Sequence, residues 1–308
     1  MTKMAKPAHL LILALAACVL GGCGATSRDE KPPVAAAPST PVAKPAKRVT
    51  DRPASTDGQV FVIEYHKIAK EEARWDRSID RYKKDLQKLY DLGFRPVTLT
   101  EYVEDRMVLP PGASPIVFTF DDSHISQFRF LEDGSIAPDC AVGIWLDFAK
   151  IHPDFPVKAS FYVLPPTPWG QKDSVEKKFA MLKEWGCEVG SHSVTHANLA
   201  KLDDEGVRRE LADSSDFVAS HGFECKTIAL PYGISPKNAS LLEGFERGGK
   251  RYGFSGALLV GANPAPSPRS AKFNPMRIPR IQCIDGEFGL DYWLDQLAKG
   301  NVRPYVAP

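Results

Sequence analysis

From residue 59 onward the chain alternates two hydrophobic patterns. Short apolar runs have the length and β-branched or aromatic content of buried strands: "VFVIEYH" (60–66), "PIVFTFDD" (115–122), "KASFYVL" (158–164), "CEVGSHS" (187–193), "KTIALPY" (226–232) and "RIPRIQC" (277–283). Weaker runs are "RPVTL" (95–99) and "YGFSGALLV" (252–260). Amphipathic stretches lie between them. "SIDRYKKDLQKLYDLG" sets Tyr82, Leu86 and Leu89 on one face and stops at Gly93. "DSVEKKFAMLKEWG" starts on Asp/Ser, sets Phe179, Leu182 and Trp185 on one face and ends at Gly186. "LDDEGVRRELADSSDFVASHG" and "GEFGLDYWLDQLAKG" read the same way. Such alternation over about seven or eight strands predicts an α/β domain on a parallel sheet, open or closed into a barrel. The strand runs end in polar groups, YH, TFDD, SHS and PYG. In a parallel barrel the carboxyl ends of the strands converge on one face, where these groups would meet.

The first 58 residues follow neither pattern. "MTKMAKPAH" is positively charged, "LLILALAACVL" is apolar but too short to span a bilayer, and "LGGCG" places small residues before Cys23. This resembles the lipobox of a bacterial lipoprotein. It implies a signal peptide over 1–22, acylation of Cys23 and attachment to the membrane by lipid alone. Gly24 rather than Asp after the cysteine implies the outer membrane of the cell envelope, on its periplasmic face or its surface. The alternative is an ordinary secretory signal cut near Ala25. Residues 23–58 then form an extended, disordered Pro/Ala-rich tether. Residues 59–308 remain for a single domain, long enough for a substantial core.

Composition narrows the partners. With 39 basic and 38 acidic residues the net charge is +1, which gives no reason to expect nucleic acid. A 43% apolar content is that of a globular protein. Cys140, Cys187, Cys225 and Cys283 lie in the domain and would allow three disulfide connectivities or none. No CxxC pair suggests a structural zinc.

The chemistry centres on His192 and His196. On one extended strand their Cα atoms would stand about 13 Å apart, too far to share an ion. Chelation therefore requires the strand to break near Ser193 and the chain to turn. A third, negatively charged ligand is available at the end of "TFDD", where Asp121 and Asp122 follow an apolar strand. Adjacent strand residues point to opposite faces, so one carboxylate can ligate while the other acts as a base. Without a partner such carboxylates would be costly to bury.

In this order, "TFDD" (119–122), "SHSVTH" (191–196) and "ALPYG" (229–233) resemble the first three motifs of the NodB-type polysaccharide deacetylases, carbohydrate esterase family 4. The resemblance runs from about Val60 to Cys283 and implies a distorted (β/α) barrel of about seven parallel strands. It implies that Asp122, His192 and His196 bind a divalent metal, zinc first with cobalt or nickel possible. Asp121 would be the base and the Tyr232 N–H the oxyanion donor, with Pro231 fixing the turn. The sequence departs from the family in three places. No histidine follows His221, so the acid falls to His66 of "VIEYHKI", as in the branch resembling poly-N-acetylglucosamine deacetylases. Ala229 stands where an arginine usually orients the base, and Arg280 of "RIPRI" is the replacement candidate. The segment 123–156 is long for its position. It suggests a helix around Trp145 and Phe148, with Phe128 and Phe130, and Trp169 further on, as sugar-stacking candidates.

These features together imply a monomeric, lipid-anchored N-deacetylase of a GlcNAc-containing polysaccharide. Poly-N-acetylglucosamine comes first and peptidoglycan second. The alternatives are a carbohydrate O-acetyl esterase and a binding or assembly lipoprotein that has lost turnover.

Overall fold

A computed structural model describes residues 47–308. Its strands are β1 (Phe61–Tyr65), β2 (Lys67–Ala69), β3 (Asp76–Ser78), β4 (Phe94–Val97), β5 (Ser114–Phe120), β6 (Ser160–Val163), β7 (Glu188–Ser191), β8 (Thr227–Ala229), β9 (Phe245–Arg247), β10 (Lys250–Tyr252), β11 (Gly256–Leu258) and β12 (Ile281–Gln282). Its helices are α1 (Ile79–Asp91), α2 (Leu99–Val103), α3 (Ala141–Ile151), α4 (Val175–Glu184), α5 (Asp204–Ser220), α6 (Ser240–Glu243) and α7 (Leu290–Ala298).

Seven strands follow one path, β11-β8-β7-β6-β5-β1-β12, and every pair along it is parallel. An eighth, β4, also pairs in parallel with β5, at Ser114–Val117, while β6 pairs further along at Thr119 and Phe120. A strand has two edges and β1 occupies one, so β4 and β6 share the other. The expected strand over 277–283 is broken in two. Pro279 has no N–H to donate, so Ile278 bridges to Leu258 while Ile281 and Gln282 pair with β1. This one segment joins both ends of the path and curls the sheet into a distorted barrel. The run over 252–260 also divides, between the antiparallel β9–β10 pair and β11.

Burial explains the strand sequences. All seven residues of β5 are buried, as expected of a central parallel strand covered on both faces. Helix α1 turns Tyr82, Leu86 and Leu89 into the core, and its N-cap Ser78 accepts a hydrogen bond from the Arg81 N–H. Asp203 caps α5 in the same way, whereas Ser174 makes no side-chain cap on α4. The segment after β5 forms α3, with Trp145 fully in the core.

The signal segment, Cys23 and the tether up to residue 46 lie outside the described residues. The last part assigned to the tether is different: residues 49–58 pack on the domain. The Val49 N–H donates to the Pro111 carbonyl at 2.8 Å, Thr50 Oγ1 donates to the Gly112 carbonyl at 2.6 Å, and Ser55 pairs with Val306. Gly112, at φ +77°, gives the strap its room, since a Cβ there would lie 2.4 Å from the Thr50 carbonyl oxygen. Composition hid this docking, because its partners on the domain are backbone carbonyls, which leave no mark in the sequence. The four described cysteines are free thiols; Cys140, Cys187 and Cys283 are buried and Cys225 is half-buried.

Candidate active site

The polar strand ends do converge on the carboxyl face of the sheet. Asp121 and Asp122 follow β5, His66 follows β1, His192 follows β7, and Tyr232 follows β8. With His196 and Glu64 they line one pocket of about 230 Å³. Four residues around it hold left-handed backbone: Asp122 (φ 66°), Ser193 (φ 63°), His196 (φ 54°) and Tyr232 (φ 60°). Such conformations are costly for non-glycine residues and gather where a site needs its groups aimed.

The strand breaks where chelation requires. β7 ends at Ser191, and the chain turns through Ser193. Glu210 of α5 holds that turn: its carboxylate accepts from the Val194 and Thr195 N–H groups at 2.8 and 2.9 Å and from Thr195 Oγ1 at 2.8 Å. The two imidazole centroids come within 4.8 Å.

His192 Nδ1 meets the Ala229 carbonyl at 2.7 Å, which makes Nδ1 the protonated nitrogen and Nε2 the free one. Nε2 is buried and without a hydrogen-bond partner, yet faces Asp122 Oδ1 at 3.2 Å; His196 Nε2 lies 3.6 Å from the same oxygen. Three lone-pair donors thus converge on one point. Ligand atoms about 2.0–2.1 Å from a tetrahedral ion stand about 3.3–3.4 Å apart, so the spacing fits a zinc-sized cation. The electrostatics agree. Burial disfavours the His192 imidazolium, but Asp121 and Asp122 outweigh it and push the pKa up. The cluster calls for positive charge.

Asp121 and Asp122 separate for a reason other than strand alternation. β5 ends at Phe120, and it is the left-handed turn at Asp122 that parts them. Asp121 is buried against Arg280, whose Nη1 donates to Oδ1 at 2.9 Å and whose Nη2 lies 2.8 Å from Oδ2. Burial alone would raise the Asp121 pKa, but the Arg280 guanidinium overrides it and holds the carboxyl at about 2. Arg280 is itself fully buried, with Nε donating to the Leu259 carbonyl at 2.7 Å.

Glu64 was not among the residues singled out by sequence. It is 3% exposed, 3.3 Å from Arg280 Nη2 and 3.6 Å from His66 Nε2. Burial raises its pKa, and the Arg280 charge offsets this only in part. The signal was present in "VIEYH", since residues two apart on a strand share a face. Arg280 therefore links two carboxylates, one beside the candidate base and one beside the candidate acid.

At the third motif, Pro231 is buried and Gly233, at φ +67°, allows the Val260 backbone to approach; a Cβ there would come 2.4 Å from the Val260 nitrogen. The Tyr232 ring is 59% exposed and packs 4.7 Å from His196.

The aromatic candidates need correcting. Phe128 and Trp169 are fully buried and Phe130 is 6% exposed, so none can stack on a sugar. Gln127 pulls the segment inward by donating to the His66 and Asp121 carbonyls, at 2.7 and 2.5 Å. The aromatics behind it then pack on one another and on Trp185. Phe128→Ala or Trp169→Ala should cost about 3–5 kcal/mol in urea unfolding and leave KM of the folded protein unchanged. A raised KM at undiminished stability would restore them to the substrate site.

Residues 110–245 match the sequence model of the polysaccharide deacetylase family. No curated protein sequence matches the chain. Solved structures share the fold. The Streptococcus pyogenes deacetylase PplD, in complex with acetate, is 18% identical with a TM-score of 0.58, over 78% of this chain and 98% of that one. BC0361, a polysaccharide deacetylase from Bacillus cereus, is 16% identical with a TM-score of 0.56, over 78% and 69%. IcaB from Ammonifex degensii is 19% identical with a TM-score of 0.51, over 79% and 96%. With its three motifs in order on a distorted barrel, residues 110–245 of this chain carry a polysaccharide deacetylase domain, that of a hydrolase acting on amide bonds.

Proposed function

We propose that the protein is a metal-dependent N-deacetylase of GlcNAc units in an extracytoplasmic polysaccharide, poly-N-acetylglucosamine first and peptidoglycan second. The observation that carries it is the pocket itself, where an acceptor-only Asp/His/His cluster, an ionised carboxylate and a histidine face one another. Lipidation at Cys23 and an outer-membrane location belong to the same proposal and rest on the sequence before residue 47.

Asp122, His192 and His196 would hold the cation. When bound, a divalent ion there supplies Lewis acidity and makes water nucleophilic near neutral pH. We assign zinc from the two imidazoles and one carboxylate, with cobalt or nickel as substitutes. Asp121, ionised at any ordinary pH, accepts a proton from the attacking water. The Tyr232 N–H, on a strained turn at the pocket wall, donates to the carbonyl oxygen as it gains charge. His66 gives its proton to the leaving nitrogen, and the C–N bond breaks to release acetate and a sugar amine. Glu64, 3.6 Å from His66 Nε2, orients that ring.

Arg280 sets the acid side of the pH profile. In Arg280→Gln, burial of Asp121 is no longer offset and its pKa should rise from about 2 past the ordinary carboxylate range, to about 5 or above. The acid limb of kcat/KM moves to higher pH, so the variant loses more activity at pH 5 than at pH 8. An unchanged profile shape would separate Arg280 from the base. The functional reading is tested by acetate release from acetylated glucosamine oligomers.

A further inference from the structure

The mechanism leaves one wall of the pocket without a task. If His66 protonates the leaving nitrogen, the sugar ring bearing that nitrogen must lie on the His66 side. Trp75 stands on that side. Its ring centroid is 4.7 Å from that of His66, and it is 40% exposed at the pocket wall. Among the described residues only two exposed large apolar side chains line this pocket, Trp75 and Tyr232, and Tyr232 packs on His196 at the metal side.

Trp75 is held in place before any ligand arrives. Its carbonyl accepts from the Lys67 N–H at 3.1 Å, and Ala73 and Asp76 exchange backbone hydrogen bonds at 2.9 and 3.2 Å. Glu72 accepts from Arg77 at 3.0 Å and from the Ser78 N–H at 2.7 Å, which pins the loop between β2 and β3. The Arg74 guanidinium lies 5.0 Å from the indole centroid. An exposed aromatic ring on a backbone already fixed, packed on one side against His66, is a suitable partner for a flat, partly apolar ligand.

We propose that Trp75 is the sugar-binding platform of this site: the C–H face of the pyranose whose acetamido group is cleaved packs on the indole. This rests on the deacetylase reading above and adds the residue that recognises the ring.

The test compares Trp75→Ala and Trp75→Phe with wild type on an N-acetylglucosamine pentamer and on methyl acetate, which has no ring. Trp75→Ala should raise KM for the pentamer at least about tenfold, with a several-fold smaller loss on methyl acetate, and Trp75→Phe should recover most of the pentamer KM. Pentamer binding should also quench tryptophan fluorescence in the wild type, and less so in Trp75→Phe, whether or not turnover follows. Equal losses on both substrates would mean that Trp75 acts only through His66 and would overturn the proposal. So would an unchanged pentamer KM or equal quenching in both proteins. A wild type that binds and quenches without releasing acetate would count against the deacetylase reading and leave the platform standing.

Discussion

His192→Ala is expected to lose tight zinc binding and at least about 10³-fold in kcat/KM, because Lewis acidity worth several kcal/mol goes with the ion. The expectation rests on two features of this imidazole. Nδ1 is engaged with the Ala229 carbonyl, so the ring can offer only Nε2, and Nε2 is buried with no other partner. Removing the ring leaves Asp122 and His196, both partly exposed, as two ligands of an incomplete site. Circular dichroism separates loss of the ion from loss of the fold, and mass spectrometry under native conditions reads the zinc content. A folded variant that keeps one zinc at wild-type affinity would refute the triad.

Asp121→Asn should act differently on the two readouts. The amide cannot accept the water proton, so kcat should fall by about 10³–10⁴-fold while zinc still binds through Asp122, His192 and His196. The variant should also be less stable, since Arg280 would remain buried with one carboxylate fewer. Breaking such a pair costs about 3–5 kcal/mol, and Glu64 at 3.3 Å places this case at the lower end. The pH dependence follows from the same pair. Asp121 has its pKa depressed to about 2, so its stabilising contribution is fully present above the ordinary carboxylate range. It is lost as pH falls through the folded value. Wild-type activity should not titrate with Asp121 between pH 4 and 8. Zinc lost together with activity in Asp121→Asn would mean that the carboxylates have been assigned the wrong way round.

The strand and helix pattern carried most of the architecture, because buried parallel strands and one-sided helices write their burial into periodicity. β12 was the least legible: Pro279 splits its run, and only pairing with two different strands reveals the division. The Asp121, Asp122, His192 and His196 set was readable because strand ends converge in this fold class. The turn between the histidines was demanded by reach alone, but its holder, Glu210, lies on the following helix, α5, where the sequence gives no sign that it turns back to the loop. Arg280 was legible only as a candidate, since nothing in "RIPRI" states which carboxylate it meets. The aromatics misled because a long loop after a strand can cover a site or fill a core, and Gln127 decides between these through backbone contacts. Trp75 was overlooked for the opposite reason, sitting in a charged stretch, "KEEARWDR", that reads as solvent-facing.

The most direct test of the central claim is acetate released from N-acetylglucosamine oligomers by the metal-stripped protein before and after one equivalent of zinc. No release is expected without the metal, restored release with it, and a free amine on the sugar product in equal amount. Acetate released undiminished after stripping would contradict the claim, and so would zinc bound at the site with no amine formed on any acetylated glucosamine polymer.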